Sequence, residues 1–283
     1  MAATLTPSNA QALVRKLGGL EVKPVSSEER GLVMGIYGEP GVGKTTLAAS
    51  ITDSEYGSPA LYIDARGNPH VVNSYAGKID VVTVEKFAHF EAIRQSLLKD
   101  KDLNYKTVII DTLTEAWSID LRDLYGPTGD VDWQKHSAST ADILQLIRNY
   151  SDLTTQGPRV NVVFVMQETL EERTVNNQKV TRPEIHFNKK LQEYIPSLIN
   201  FLGRLYIYET TPPYRRVLDF TPANTVHQGK MQRDPNDPAA RDIPFQIYNP
   251  SLAPLLDTIR GHIPWPIETH SRPRTTQQQQ AAR

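Results

Sequence analysis

The chain has no cysteine among its 283 residues. That excludes disulfides, thiolate metal sites and cysteine nucleophiles, and it suits a reducing cytosol. Neither charge is in excess: Lys and Arg total 31 against 32 Asp and Glu. No global field therefore draws the chain to nucleic acid or to an anionic membrane, and any DNA contact has to come from local basic segments. No apolar run approaches the roughly 20 residues that cross a bilayer. Residues 1–7 lack the basic flank and apolar stretch of a signal peptide. The expectation is a cytoplasmic protein with no membrane partner. His70, His89, His186 and His227 are scattered without metal-ligand spacing, so no zinc site is expected.

What is present is an alternation of short apolar runs and amphipathic stretches. Runs at 31–37, 60–63, 79–84, 107–110 and 160–166 read as buried strands. Between the last four, stretches such as 87–98 and 141–150 carry a helical period. Buried strands alternating with helices predict an α/β fold, a mainly parallel sheet flanked by helices on both faces. Residues 1–28 read as a peripheral segment, with a short helix capped by Ser8, carrying Ala12, Leu13 and Leu17, and stopped by Gly18-Gly19. Residues 201–209 and 214–220 flank Thr-Thr-Pro-Pro and predict an antiparallel β-hairpin extending the sheet. Residues 225–228 are a candidate further strand. The core domain is expected over 29–265, and 266–283, rich in Gln, Arg and Thr, as a disordered tail.

The first run ends in Gly38-Glu39-Pro40-Gly41-Val42-Gly43-Lys44-Thr45, an ungapped G-x-x-x-x-G-K-[ST] phosphate loop, followed by Thr46 and a helical stretch. Its glycines let the backbone curl until successive N–H groups point inward at phosphate oxygens. Lys44 is placed to reach the β- and γ-phosphates, and Thr45 to ligate magnesium. The helix that follows turns its positive end to the same anion. ATP and Mg2+ are the expected cofactors. The run Val108-Ile109-Ile110-Asp111 delivers one carboxylate from the end of a buried strand, where it can hold magnesium through water.

The order of these parts, with Asp64 closing the second strand and Asp111-Thr112-Leu113-Thr114-Glu115 the third, resembles RecA-like P-loop ATPases. It is most similar to the phage nucleotide-binding proteins that include RecA-like single-strand-annealing ATPases. The resemblance implies ATP hydrolysis, binding of single-stranded DNA in recombination, annealing or replication, and a host-cytoplasmic location. It also implies a homo-oligomer, ring or filament, with ATP at subunit interfaces, and admits a single-strand-binding protein as a further partner. By the same resemblance Gln167 touches the γ-phosphate, and an amide can bond phosphate or water. Many members of the phage family have His there, whereas RecA has Gln. Lys230 and Arg233, after the hairpin, reach the ATP of the next subunit, where positive charge stabilises the transferring phosphoryl group.

At one position the chain departs from that pattern. RecA-like enzymes place a catalytic Glu two residues after the Asp of the second strand, and here Arg66 stands there, a side chain that cannot act as a base. Two alternatives stay open: Asp64, Glu115 or Glu168 orients the attacking water, or hydrolysis is slow. The polar segment 169–191, with Arg173, Lys179, Arg182, Lys189 and Lys190, is expected to form a loop holding single-stranded DNA, with Asn176-Asn177 as its turn. A second loop, 126–140, offers Trp133, Lys135 and His136 for stacking and charge. Two other function classes compete, a nucleotide-switched loader with weak hydrolysis and a small-molecule phosphotransferase.

Overall fold

The computed structural model describes residues 15–17, 20–22, 31–100, 102–126, 133–175, 178–209, 211–212, 214–222, 228–232, 238–261 and 263–266. Two short strands, β1 (Arg15–Leu17) and β2 (Leu20–Val22), pair antiparallel. They contradict the helix expected to run through Leu17. The physical reason is that the short runs 15–17 and 20–22 satisfy their backbone groups by pairing with each other rather than within a helix.

The body of the chain follows as β3 (Val33–Gly38), α1 (Lys44–Ala49), β4 (Ala60–Asp64), β5 (Ile79–Thr83), α2 (Ala88–Lys99), β6 (Thr107–Asp111), α3 (Leu113–Tyr125) and α4 (Trp133–Asp152). Then come β7 (Asn161–Val175), β8 (Gln178–Ile185), α5 (Lys189–Leu198), β9 (Phe201–Glu209), β10 (Arg215–Asp219), β11 (Lys230–Met231), α6 (Pro238–Arg241), β12 (Gln246–Tyr248) and α7 (Leu252–Gly261). The main sheet runs β12-β10-β9-β3-β7-β6-β4-β5, with β11 on β9 and β8 on β7. From β9 to β5 all neighbours are parallel, and β10, β11 and β12 are antiparallel additions. The expected α/β fold with a mainly parallel sheet and a C-terminal hairpin is what forms.

Strand alternation sorts the core into two layers. Tyr37, Ile63, Ile110, Phe164 and Met166 face one side, with α3, α4 and α5 supplying Leu113, Ile147 and Leu191. Ile36, Tyr62, Ile109, Val163 and Val165 face the other, against Leu47 of α1 and Leu255 of α7. Each such fully buried side chain contributes roughly 1.5–3 kcal/mol. The helix ends are specified locally. The Thr112 hydroxyl accepts from Glu115 N at 2.9 Å to cap α3, and Gly126, at φ 75°, ends it. Asn188 caps α5 through Leu191 N at 3.0 Å.

Two further expectations change. The supposed DNA loop at 169–191 is a β-hairpin, β7 running on to Val175 and pairing with β8, followed by the start of α5. Backbone pairing holds this ribbon without an apolar face, so no period-2 pattern announces it. In the supposed loop at 126–140, Trp133, Lys135 and His136 belong to α4, and residues 127–132 lie outside the described set. A strand forms at Lys230–Met231, paired with Leu202 and Phe201; of the expected strand at 225–228, residues 225–227 lie outside the described set. So do Ser8, Ala12 and Leu13 of the expected first helix, and the tail from 267 on.

Candidate nucleotide site

The phosphate loop forms between β3 and α1. Gly41 and Gly43 take φ values of 81° and 97°, which only glycine adopts without strain, and this gives the loop its curl. Gly38 has a second constraint: a side-chain carbon there would fall 2.2 Å from Leu205 O of β9. Val42 faces inward and joins the core, while Glu39 is exposed. Pro40, Gly41, Gly43, Lys44, Thr45 and Thr46 line a cavity of about 350 Å3 above the C-terminal ends of the parallel strands. Ligands of open α/β sheets bind at that edge.

Lys44 is nearly buried and donates from Nζ to Gly38 O and Glu39 O, each at 2.7 Å. Burial pushes its pKa down to about 8; Asp111 opposes the shift and Arg66 adds to it. Asp111 closes β6 at full burial. Its Oδ2 accepts from the Thr45 hydroxyl and, at 2.9 Å, from Tyr62 OH. Its Oδ1 has no hydrogen-bond partner among the described residues. Burial raises the Asp111 pKa, and the bonds from Thr45 and Tyr62 pull it back. The same burial, with Asp111 beside it, raises Tyr62. A hydroxyl and a carboxylate in contact, with one carboxylate oxygen unsatisfied, fit a hydrated divalent cation.

Gln167, on the strand between those of the phosphate loop and Asp111, lines the same cavity, as does Arg66. Gln167 N donates to Thr114 Oγ1 at 3.0 Å, and Gln167 O accepts from His186 N at 2.9 Å. The three candidate carboxylates stay outside the lining. Asp64 Oδ1 accepts from Arg66 N and Gly67 N at 2.9 and 3.1 Å. Glu115 sits in the first turn of α3. Glu168 is held by both arms of Arg204, at 2.8 Å each.

The other expected residues fall elsewhere. Lys230 donates to Pro196 O at 3.0 Å, away from the cavity of its own chain. Arg233 and the side chains of Trp133, Lys135 and Arg173 lie outside the described residues. Lys179 pairs with Glu172 at 3.2 Å and Arg182 with Glu184, so the β7–β8 hairpin carries acid beside its base. Lys189 and Lys190 come together with His136 around a cavity of about 480 Å3, where α4 meets the start of α5. One site residue was missed: Arg216 of β10 donates from Nε to Val42 O of the phosphate loop at 2.7 Å. No motif marks it, because it lies 174 positions from its partner.

The model of the AAA domain family matches residues 30–230, from the phosphate-loop strand to β11. The chain belongs to that family. Its AAA domain carries the phosphate-loop strand between β9 and β7 in the sheet. A search of curated proteins finds no match. Similar solved structures include the flagellar accessory protein FlaH from Methanocaldococcus jannaschii, 11% identical with a TM-score of 0.40, covering 78% of this chain and 85% of that one. A KaiC-like protein from Pyrococcus horikoshii OT3 is 14% identical with a TM-score of 0.39, covering 67% and 78%. The RadB recombinase is 20% identical with a TM-score of 0.42, covering 68% and 80%. Among the described residues, no helix is long and apolar enough to cross a membrane.

Proposed function

We propose that this AAA domain uses ATP and magnesium to control binding of single-stranded DNA, as an oligomeric protein of phage recombination or annealing. The loop N–H groups and Lys44 would hold the phosphates, and Thr45 and Asp111 would hold the cation, which supplies charge neutralisation. Gln167 would orient water or the γ-phosphate. The observation that carries the DNA reading is the bond from His186 N to Gln167 O at 2.9 Å. It ties the residue lining the nucleotide cavity to the segment that opens α5, where Lys189 and Lys190 stand exposed beside His136. Two lysines at an open mouth suit a phosphate backbone without sequence preference. The resemblance to phage single-strand-annealing ATPases supports the same reading.

The test is ATP turnover with and without single-stranded DNA, joined to DNA titrations at two salt concentrations. The expected outcome is stimulation by DNA and binding that weakens as salt rises. Replacing Lys189 and Lys190 by Ala should lower DNA affinity about tenfold and flatten the salt dependence. A second reading rests on Arg66, a cation where the cavity would otherwise present a carboxylate. In that reading the chain is a nucleotide-switched loader, and tight ATP binding without turnover or DNA stimulation would establish it. Phosphate transfer to a small molecule would overturn both.

A further inference from the structure

Strand alternation puts Arg216 on the same face of β10 as Leu218, which packs in the core layer that also holds Val42. The β9–β10 ladder slips by one residue immediately before Arg216, pairing Arg215 with Glu209 but Arg216 with Ile207. Such a bulge turns the strand and re-aims the side chain that follows. Here it sends the guanidinium to the phosphate loop. Nε donates to Val42 O at 2.7 Å, and a carbon added at Gly43 would meet Nε at 3.3 Å and Cζ at 3.8 Å. Among the described residues neither Nη group has a hydrogen-bond partner, and the side chain is only half-buried. A fork tied down at one nitrogen and open at the other two is set up to face an anion.

We infer that Arg216 is a positioning residue for nucleotide polyphosphate, acting in the same chain by bracing the phosphate loop, so that the β9–β10 hairpin supports the nucleotide site from outside its lining. The inference rests on the phosphate-loop reading. The brace holds the Val42 carbonyl outward, which leaves the neighbouring N–H groups turned to the ligand, and the guanidinium adds positive charge at the Gly43 edge. Because the loop cradles the α- and β-phosphates, ATP and ADP depend on the brace alike. An interaction made equally in ground state and transition state appears in KM and leaves kcat unchanged.

Equilibrium titrations with ATP, ADP and AMP test this on the full chain, with Lys44→Ala as control. Arg216→Ala should weaken ATP and ADP about tenfold each, weaken AMP less, and raise KM with kcat within twofold of the parent. Arg216→Lys, which keeps the charge, should recover affinity to within about threefold. If Arg216→Ala fails to fold, Arg216→Met keeps the aliphatic packing and should show the same tenfold loss. Unchanged ADP and ATP affinity in a folded variant, or a loss confined to kcat, overturns the inference. Parental binding that Lys44→Ala abolishes and Arg216→Ala leaves unchanged would sink this inference alone. A parent that binds no ATP would sink the phosphate-loop reading with it.

Discussion

Lys44 is a charged group held in a nearly dry place, and that makes nucleotide affinity depend on pH. In the free protein its pKa is pushed down to about 8 by burial, from the ordinary value of 10.5. The cost of burying the charge is complete below about pH 8 and is relieved as pH rises from there toward 10.5, so this group does not destabilise the alkaline fold. Phosphate oxygens favour the protonated form, so ATP binding above pH 8 must take up a proton. ATP affinity should fall about tenfold between pH 7 and 9, with proton uptake visible by calorimetry in two buffers of different ionisation enthalpy. Flat affinity over that range would mean Lys44 stays charged unaided. Arg66 lowers the Lys44 pKa and lines the same cavity, where no candidate catalytic carboxylate does. Arg66→Glu should therefore raise turnover about tenfold by supplying a water-orienting group, and move the affinity break to higher pH. A folded variant that binds ATP and turns over no faster would show that Gln167 or another group already orients the water.

Elements show where a local pattern suffices and where it does not. The α3 cap is written in Thr112 and Glu115, and its end in Gly126, all within one stretch of chain. Its buried Asp120 is another matter. Burial against α4 raises that carboxyl to about 6, Asp142 and Asp123 push the same way, and the Ser139 hydroxyl opposes them. A raised carboxyl contributes stability fully below the unfolded value of 3.8 and loses it as pH rises through 6. Asp120→Asn should accordingly raise the melting temperature at pH 8 by a few degrees, on the order of 1 kcal/mol, and change little at pH 4. An equal effect at both pH values would assign it to packing. In sequence the β7–β8 ribbon has the look of a loop, because Thr169, Glu171, Arg173 and their neighbours offer no apolar alternation. Its register comes from backbone bonds, which side-chain patterning does not record. Within it Glu172 pairs with Lys179 across the ladder and Glu184 with Arg182 along β8, so the basic character of the segment is partly cancelled.

For the whole molecule the open issue is how many chains complete one ATP site. Lys230 donates to Pro196 O of its own chain and does not line the cavity. Mixing Lys44→Ala protein with Arg233→Ala protein, each inactive alone, should restore part of the turnover, because a mixed assembly can join an intact phosphate loop to an intact neighbouring cation. No recovery despite demonstrated co-assembly would count against a shared site. The sequence by itself determined the phosphate loop, since residues 38–45 encode their own curl through glycines and need no distant partner. It also determined the parallel α/β core and the place of Asp111, because buried strands and helices leave different periods. Only the tertiary structure decided which distant groups meet those parts. Arg216 arrives at Val42 through strand order and a bulge, and Lys189 and Lys190 meet His136 where α4 crosses the start of α5. Such meetings depend on how strands pair and helices dock across the whole chain, and a local period carries no term for either.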